Sequence, residues 1–484
     1  MSTSTERLSP QSLMTITVLI VSTFVVILNE TIMNVALPVL MHEFSVSPDT
    51  IQWLATIFML TMAVVIPTTG FLLQKLSTRK AFMLAMGLFT VGTILAAAAP
   101  GFSVLLIARV IQASGTAIMM PLLMTTILDL VPPERRGVLM GNVSIVISVA
   151  PAVGPTISGL ILQFLSWRFM FIAVAPIAIL ALLIGAPRLG NEPGESRAPL
   201  SFVSLLLAVP GFGGLVYGLS RLSAAGFDAS NAMILAGALI CLVAFALLQS
   251  RLQRNDRALL DLRPFTYRPF TLGLLLMIFA MVALFGVIIL LPMYFSNILG
   301  FETLTTGLIL LPGGLLMGLL APTVGRLFDK FGPAPLVVPG AALLVLVLLG
   351  YAVVLGPETA VWLLIVMHLV MSLGMALIFT PAFTTALNPL PHELHSHGSA
   401  VLSTLQQLGG ALGTALVVGV VAASTTAKQA AGIPQPQASI EGFSAGFFVA
   451  AACGLAVLIL GAMLGGKKVV TEPASEPGAV PADH

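Results

Sequence analysis

The chain has 484 residues, 58% of them hydrophobic and only 8% charged, and its mean hydropathy is +1.06. Soluble globular proteins carry about 25% charged residues, so this is the composition of an integral membrane protein. A formal charge of +2, with no basic stripe, zinc motif or aromatic platform, gives no support for nucleic-acid binding.

The N-terminus, MSTSTERLSP, has Arg7 as its only basic residue and leads into an apolar segment too long for a cleaved signal region. The first helix is therefore expected to be retained. A spanning helix needs about 20 predominantly apolar residues, and fourteen runs qualify: 13–37, 51–73, 80–99, 102–127, 138–164, 168–186, 201–220, 231–250, 270–292, 305–324, 335–355, 360–386, 398–423 and 443–464. Cys241 and Cys453 both fall inside such runs, which points to neither a disulfide framework nor a metal site.

Lys and Arg test this assignment, because cytoplasmic loops hold the excess of positive charge. With the N-terminus inside, seventeen of the 21 lie on the inner side; Arg168, Arg221 and Lys428 lie on the outer side, and Arg109 is inside a helix. That bias favours fourteen helices with both ends cytoplasmic. Only 187–200, 251–269, 425–442 and the tail after Gly465 are long connections, leaving no room for a soluble catalytic domain. The Pro-rich, acidic tail reads as disordered. An amphipathic interfacial element is one reading of 251–269, from Leu259, Leu260, Leu262 and Phe265 among arginines.

The connection after the second helix reads GFLLQKLSTRK (70–80), and the one after the tenth reads GRLFDKFGPAP (325–335). They share the frame G-x-L-x-x-K-[LF] at an offset of 255 residues, or eight helices. The plan that follows is six helices, two inserted helices and six more, two like halves about an axis normal to the membrane. The expected units are a cytoplasmic N-terminus (1–12), an N-terminal bundle (13–186), an insert of two helices with linkers (187–269), a C-terminal bundle (270–464) and a tail (465–484).

Several motifs appear in order on these helices. The first helix gives LNETIMNVALP (28–38), the fourth RVIQASGTA (109–117), the fifth APAVGPTISG (150–159), and SWRFMF (166–171) follows. With the 70–80 loop, this set resembles the major facilitator superfamily, in its fourteen-helix drug:proton antiporter branch, and within it the lincomycin-resistance type of exporter. The resemblance covers nearly the whole chain. It implies an all-α polytopic fold of two six-helix bundles, no enzymatic activity, no cofactor other than the proton gradient, and a bacterial-type cell membrane. Small lipophilic or cationic substrates, protons and the bilayer are the expected partners, and the chain is expected to be a monomer. It also implies gating roles for Gly70, Lys75 and Arg79 and, in the second copy, Gly325, Arg326 and Asp329. The chain departs from the pattern at Gln74, where the loop signature has its acid, at Ser77, where it has Gly, and at Asn29, with the acid moved to Glu30.

Of 19 Asp and Glu residues only Glu30 lies well inside a helix, and Arg109 is the one basic counterpart. Each lies seven residues from its helix's outer end, about 10 Å deep at 1.5 Å per residue. They can meet if the first and fourth helices are neighbours. A titratable acid there binds or releases a proton when its burial or its distance from Arg109 changes; the alternative is a static ion pair that fixes packing. Asn29, Asn34 and Gln112 are placed to share the hydrogen bonding, Asn34 at i+4 from Glu30 and Gln112 at i+3 from Arg109. Pro151, Gly154, Pro155 and Gly159 read either as a hinge or as ordinary close packing.

His368, near mid-depth of the twelfth helix, is either a proton-transfer group or a neutral hydrogen-bonding residue. Gln406 and Gln407 line the cavity or bond helix to helix. His392, His395 and His397 are expected in a cytoplasmic loop; metal binding is conceivable, but without cysteines the default is a solvated loop with no metal. The 22 Met residues suit a cavity that repacks around varied lipophilic molecules, and equally a lipid-facing surface. No nucleotide-binding G-x-x-x-x-G-K-[ST] is present. The leading expectation is a proton-coupled drug exporter; a lipid or endogenous-metabolite exporter on the same fold is the alternative.

Overall fold

The computed structural model describes residues 9–190, 199, 201–225 and 228–464. The tail after Gly465 and the side chain of Asn34 lie outside the described residues. Fourteen helices long and apolar enough to cross a membrane follow the expected order, and no strand occurs among the described residues. In hydrocarbon every backbone N–H and C=O needs an internal partner, which a helix supplies within its own segment.

The N-terminal six are α1 (Pro10–Phe44), α2 (Pro48–Lys75), α3 (Thr78–Ala97), α4 (Phe102–Leu130), α5 (Arg136–Phe164) and α6 (Arg168–Gly185). Two inserted helices follow: α7, in three pieces (Phe202–Ala208, Val209–Gly213, Gly214–Ala225), and α8 (Ala229–Leu252). The last six are α9 (Arg268–Asn297), α10 (Thr303–Phe331), α11 (Ala334–Val354), α12 (Val361–Leu387), α13 (His395–Ala430) and α14 (Gln437–Met463).

Local signals explain several starts. The hydroxyls of Ser9, Ser47 and Ser77 accept from the backbone N–H of Ser12, Thr50 and Lys80, and Asp228 from Asn231, satisfying orphan donors at four helix N-termini. Within α7, Val209–Gly213 is one π turn around Pro210, whose missing N–H breaks the α ladder.

Helix contacts repeat with a shift of eight. Pairs α3/α4, α2/α4, α1/α5, α1/α4, α1/α6 and α3/α6 recur as α11/α12, α10/α12, α9/α13, α9/α12, α9/α14 and α11/α14. The contacts between the halves obey the same shift, α5/α10 against α13/α2 and α4/α13 against α12/α5. Helices α7 and α8 pack mainly on each other, with α7 reaching α2 and α13.

The most extensive seam between the halves is α5/α10. Small residues build it. A side chain at Gly325 would collide with the backbone of Gly137, one at Gly141 with Ala321, one at Gly314 with Ala152 and one at Gly318 with Val149. Without a hydrophobic driving force between helices in lipid, such close backbone approach is what holds them.

Several elements differ from expectation. Helix α1 continues through Pro38 to Phe44, so Glu30 stands fourteen residues from its end rather than seven. Helix α13 starts at His395 rather than 398, after a 3-10 turn His392–Leu394, and His395 and His397 are buried against the N-terminal half instead of solvated in a loop. A polar run of this kind looks like loop in sequence, yet His395 and His397 find partners in Asp129 and the Asp261 N–H. The segment 251–269 is not an amphipathic interfacial helix. It is two 3-10 turns, Gln253–Asn255 and Arg263–Thr266, flanking Leu259, Leu260 and Asp261, all buried. Gln249 Oε1 accepts from the Leu259 N–H at 2.8 Å and the Asp261 N–H donates to His397 Nδ1 at 3.2 Å, so backbone hydrogen bonds pull the segment into the protein.

The seam carries a prediction. Gly325→Val cannot be accommodated without parting α5 and α10, and overpacking of this kind costs about 1–3 kcal/mol. Gly237→Ala in α8, where a Cβ meets open space, is expected to leave the thermal midpoint unchanged. Thermal unfolding of the two variants in detergent checks the difference.

Candidate functional site

By sequence, the face holding the start of α1 and the ends of the even-numbered helices carries most Lys and Arg; it is called the basic face below. Two polar regions stand out, one inside the N-terminal half and one on the basic face.

The inner region centres on Arg109, 1% exposed, two turns into α4. A buried guanidinium is costly in hydrocarbon unless its donors are met. Arg109 Nη1 donates to Gln112 Oε1 at 2.7 Å, Nε donates to the Leu54 carbonyl at 3.4 Å, and the guanidinium sits 3.9 Å over the Phe58 ring. Gln112 Nε2 donates in turn to Thr93 Oγ1 at 2.9 Å, and Thr93 to the Phe89 carbonyl at 2.7 Å. The chain of bonds thus spans α2, α4 and α3. Gly92 allows it, because any side chain there would strike the backbone of Gln112.

Helices α1 and α4 do pack together. Glu30 is half-buried on α1, and its charge and that of Arg109 act on each other, yet no ion pair within 4.0 Å joins them. Among the described residues the Glu30 carboxylate has no hydrogen bond or ion pair. Asn29 beside it is 2% exposed and its Nδ2 makes no hydrogen bond. Thr31 Oγ1 donates to the Leu28 carbonyl at 2.9 Å and approaches the Ala150 carbonyl of α5 at 3.4 Å, with Gly154 directly beneath it. The Pro151 to Gly159 stretch stays helical and lies between α1 and α10, where a side chain added at Gly307 would meet Pro155 and one added at Gly159 would meet Leu304.

The other sequence-selected polar residues lie elsewhere. His368 on α12 is half-buried against Gly313 of α10, its Nδ1 buried with no hydrogen bond. Gln406 and Gln407 are half-buried on α13, with no hydrogen bond from either side chain among the described residues. Nothing links these three to Glu30.

On the basic face the halves are joined by charge and backbone together. Asp329 of α10 accepts from the Gly137 and Val138 N–H groups at 3.0 and 3.3 Å. It thereby satisfies orphan donors and sits at the positive end of the α5 dipole. Its counterpart by the 255-residue offset is Gln74, whose Nε2 donates to the Glu393 carbonyl at 2.9 Å. An amide cannot play the anion's part, and the acid on that side comes from α4 instead: Asp129 Oδ1 lies 2.7 Å from His395 Nδ1. Arg136 donates to Asn388 Oδ1 at 3.0 Å and to the Leu128 and Val131 carbonyls at 2.6 and 2.9 Å. Ser144 and Thr380 share a hydrogen bond of 2.9 Å. Gly70 of α2 lies against His397, leaving no room for a side chain. Lys75 and Arg326 are exposed, Lys75 lying 5.4 Å from the centre of the Phe71 ring, and the Arg79 N–H donates to the Gly190 carbonyl at 3.0 Å.

Sequence reasoning passed over Asp129, Asn388, His395, His397 and Asp261 as parts of this lock. Asp261 is 1% exposed and accepts from Arg263 Nε at 2.7 Å, a hydrogen bond that holds the Arg263 guanidinium above its ordinary pKa. The available signal was an acid, Asp129, at a helix end facing a histidine-rich turn. Beside the lock is a polar cavity of about 460 Å³, walled by residues including Ser12, Thr15, Gln74, Thr126, Asp129, His392 and Ser396. It lies far from Glu30: Asp129 and Arg109 are twenty residues apart on α4, about 30 Å.

Gln112→Ala removes the acceptor of a buried charged donor and should lower stability by about 1–3 kcal/mol. Gln406→Ala, which breaks no hydrogen bond, should stay within about 0.5 kcal/mol of the parent. Thermal unfolding of the purified chain distinguishes the two.

The arrangement of two halves joined on one face has counterparts among known proteins. Residues 19–414 match the family described as Major Facilitator Superfamily. The chain is 37% identical over 460 residues to an uncharacterized MFS-type transporter, YcnB, of Bacillus subtilis, covering 95% of this chain and 96% of that one. It is 37% identical over 440 residues to the lincomycin resistance protein LmrB of Listeria monocytogenes, covering 90% and 93%. Among solved structures, the human organic anion transporter MFSD10 superposes with a TM-score of 0.68 at 16% identity, covering 94% of this chain and all of the other, a likeness of fold. The chain belongs to the Major Facilitator Superfamily and is a multi-pass membrane transporter.

Proposed function

We propose that this transporter is a proton-coupled antiporter that exports lipophilic, often cationic compounds, lincosamide-type antibiotics included, across a bacterial cell membrane with its basic face in the cytoplasm. The observation that carries the proposal is the Glu30 carboxylate. It is half-buried in a membrane helix, makes no hydrogen bond or ion pair among the described residues, and shares its surroundings with Arg109, whose guanidinium is held by Gln112, the Leu54 carbonyl and the Phe58 ring. A static ion pair would close to contact distance; an acid left open to the cavity can bind a proton or a cation, one at a time. The kinship with a lincomycin resistance protein supports the substrate class.

In this cycle Glu30 takes a proton from the outer side, its attraction for a bound cation is lost, and the substrate leaves. Opening of the basic-face lock then exposes the neutral acid to the higher cytoplasmic pH, where it gives up the proton and can bind a new cation. The two halves rock about the α5/α10 seam, which its small residues let slide without losing contact, while α7 and α8 stay peripheral.

The test is transport in proteoliposomes with ethidium and lincomycin as probes. With the lumen acidic and the basic face outward, a pH gradient should drive uptake by the parent chain. Glu30→Gln should abolish gradient-driven uptake while keeping substrate exchange in the absence of a gradient. Gradient-driven uptake undiminished in Glu30→Gln would overturn the proposal.

A further inference from the structure

The histidine-rich turn holds a grouping that transport does not use. His392 and His395 stand three residues apart across a 3-10 turn, where side chains at i and i+3 eclipse, and their ring centres are 5.4 Å apart. Both face Asp129 of α4: His395 Nδ1 is 2.7 Å and His392 Nε2 3.5 Å from Asp129 Oδ1. The three ligand atoms lie within 4.8 Å of one another.

The second nitrogen of His395 settles its chemistry. Nε2 lies 3.1 Å from the Leu390 carbonyl, an acceptor, so Nε2 carries a hydrogen and donates. In the neutral ring Nδ1 is then a lone pair, and it points at a carboxylate oxygen. Two lone pairs at that distance repel unless a cation lies between them. A ring nitrogen donating to a backbone carbonyl while the other faces an anion is also the arrangement that orients histidine ligands to a metal.

We propose that Asp129, His392 and His395 form a binding site for a divalent transition-metal ion of the zinc class, clamping α4 to the start of α13 on the basic face. Imidazole and carboxylate bonds of about 2.0–2.2 Å place ligand atoms about 3.3 Å apart around a tetrahedral ion, which the His392 pair already matches. The shorter His395 pair needs a small rotation of Asp129, whose side chain is 33% exposed and has room to turn. His395 is 5% exposed and fixed by Leu390; His392, 61% exposed, closes the site from the solvent side. Asp129 and His392 also line the 460 Å³ cavity, which gives an ion its way in and leaves a fourth position for water. Glu393 on the same cavity adds negative charge. Arg136 adds positive charge near Asp129, but its guanidinium is committed to the Leu128 and Val131 carbonyls and to Asn388. His397 is no ligand, since its Nδ1 accepts from the Asp261 N–H.

Because the ligands come from both halves, a bound ion holds the basic face shut, a property that stands whether or not Glu30 couples protons. The experiment uses the full chain, purified in detergent without a polyhistidine tag. Titration with Zn²⁺, and with Co²⁺ for its visible absorption, should show one ion per chain, and Zn²⁺ should raise the thermal midpoint. His392→Ala, at an exposed position that folding tolerates, and Asp129→Asn should each weaken binding about tenfold or more and remove the thermal shift. His42→Ala, on the opposite face, should change neither. Absence of a bound ion at about 100 µM free Zn²⁺ would overturn the proposal and assign the cation between His395 and Asp129 to a proton, as would binding that survives His392→Ala and Asp129→Asn unchanged.

Discussion

A guanidinium inside the hydrocarbon span is the constraint around which the N-terminal half is arranged. Arg109 cannot be left with open donors, so Gln112, the Leu54 carbonyl and the Phe58 ring are drawn around it, and Gln112 is held by Thr93. These partners come from three helices, which the need to satisfy one charge locks together. Glu30 is the opposite case: an acid near that charge but not spent on it. In the proposed cycle, the Arg109 network stands apart from the acid, so Glu30 changes protonation without unravelling the packing around it.

The two halves meet under a different rule. Along most of α5/α10 the contact is close packing, backbone against backbone at Gly137, Gly141 and Gly325 and backbone against the side chains of Ala152 and Val149 at Gly314 and Gly318. On the basic face the contacts are directional: Asp329 on the α5 N-terminus, Asp129 against His395, Arg136 with Asn388. The proposed rocking uses the first as the surface that slides and the second as the set of contacts made or broken on one side. The repeat at 255 residues is imperfect at Gln74, and the fold answers with an acid from α4.

The fourteen spans were legible because a helix crossing hydrocarbon must be long and apolar, and the eight-helix repeat because G-x-L-x-x-K-[LF] recurs. The Arg109–Gln112 bond followed from i,i+3 spacing on one helix face. What escaped was whatever depends on a partner far away in sequence. His395 and His397 look like a solvated loop until α4 and the 251–269 segment are laid against them. Leu259 and Leu260 look like a membrane-surface stripe until Gln249 takes up their backbone N–H groups. The π turn at Pro210 lies inside the run read as one helix, 201–220, and a proline alone does not say whether a helix kinks, ends or bulges. Depth counting put Glu30 and Arg109 at one level; how far apart their side chains stand was beyond it.

The proposed antiport turns on Glu30 exchanging a proton for a cation. Calorimetry of tetraphenylphosphonium binding to the purified chain, in buffers of different ionisation enthalpy at one pH, reads that exchange directly. The expected result is release of a proton, up to about one per cation bound, with none released by Glu30→Gln. Binding heats that do not depend on the buffer, or the same release from Glu30→Gln, would contradict it.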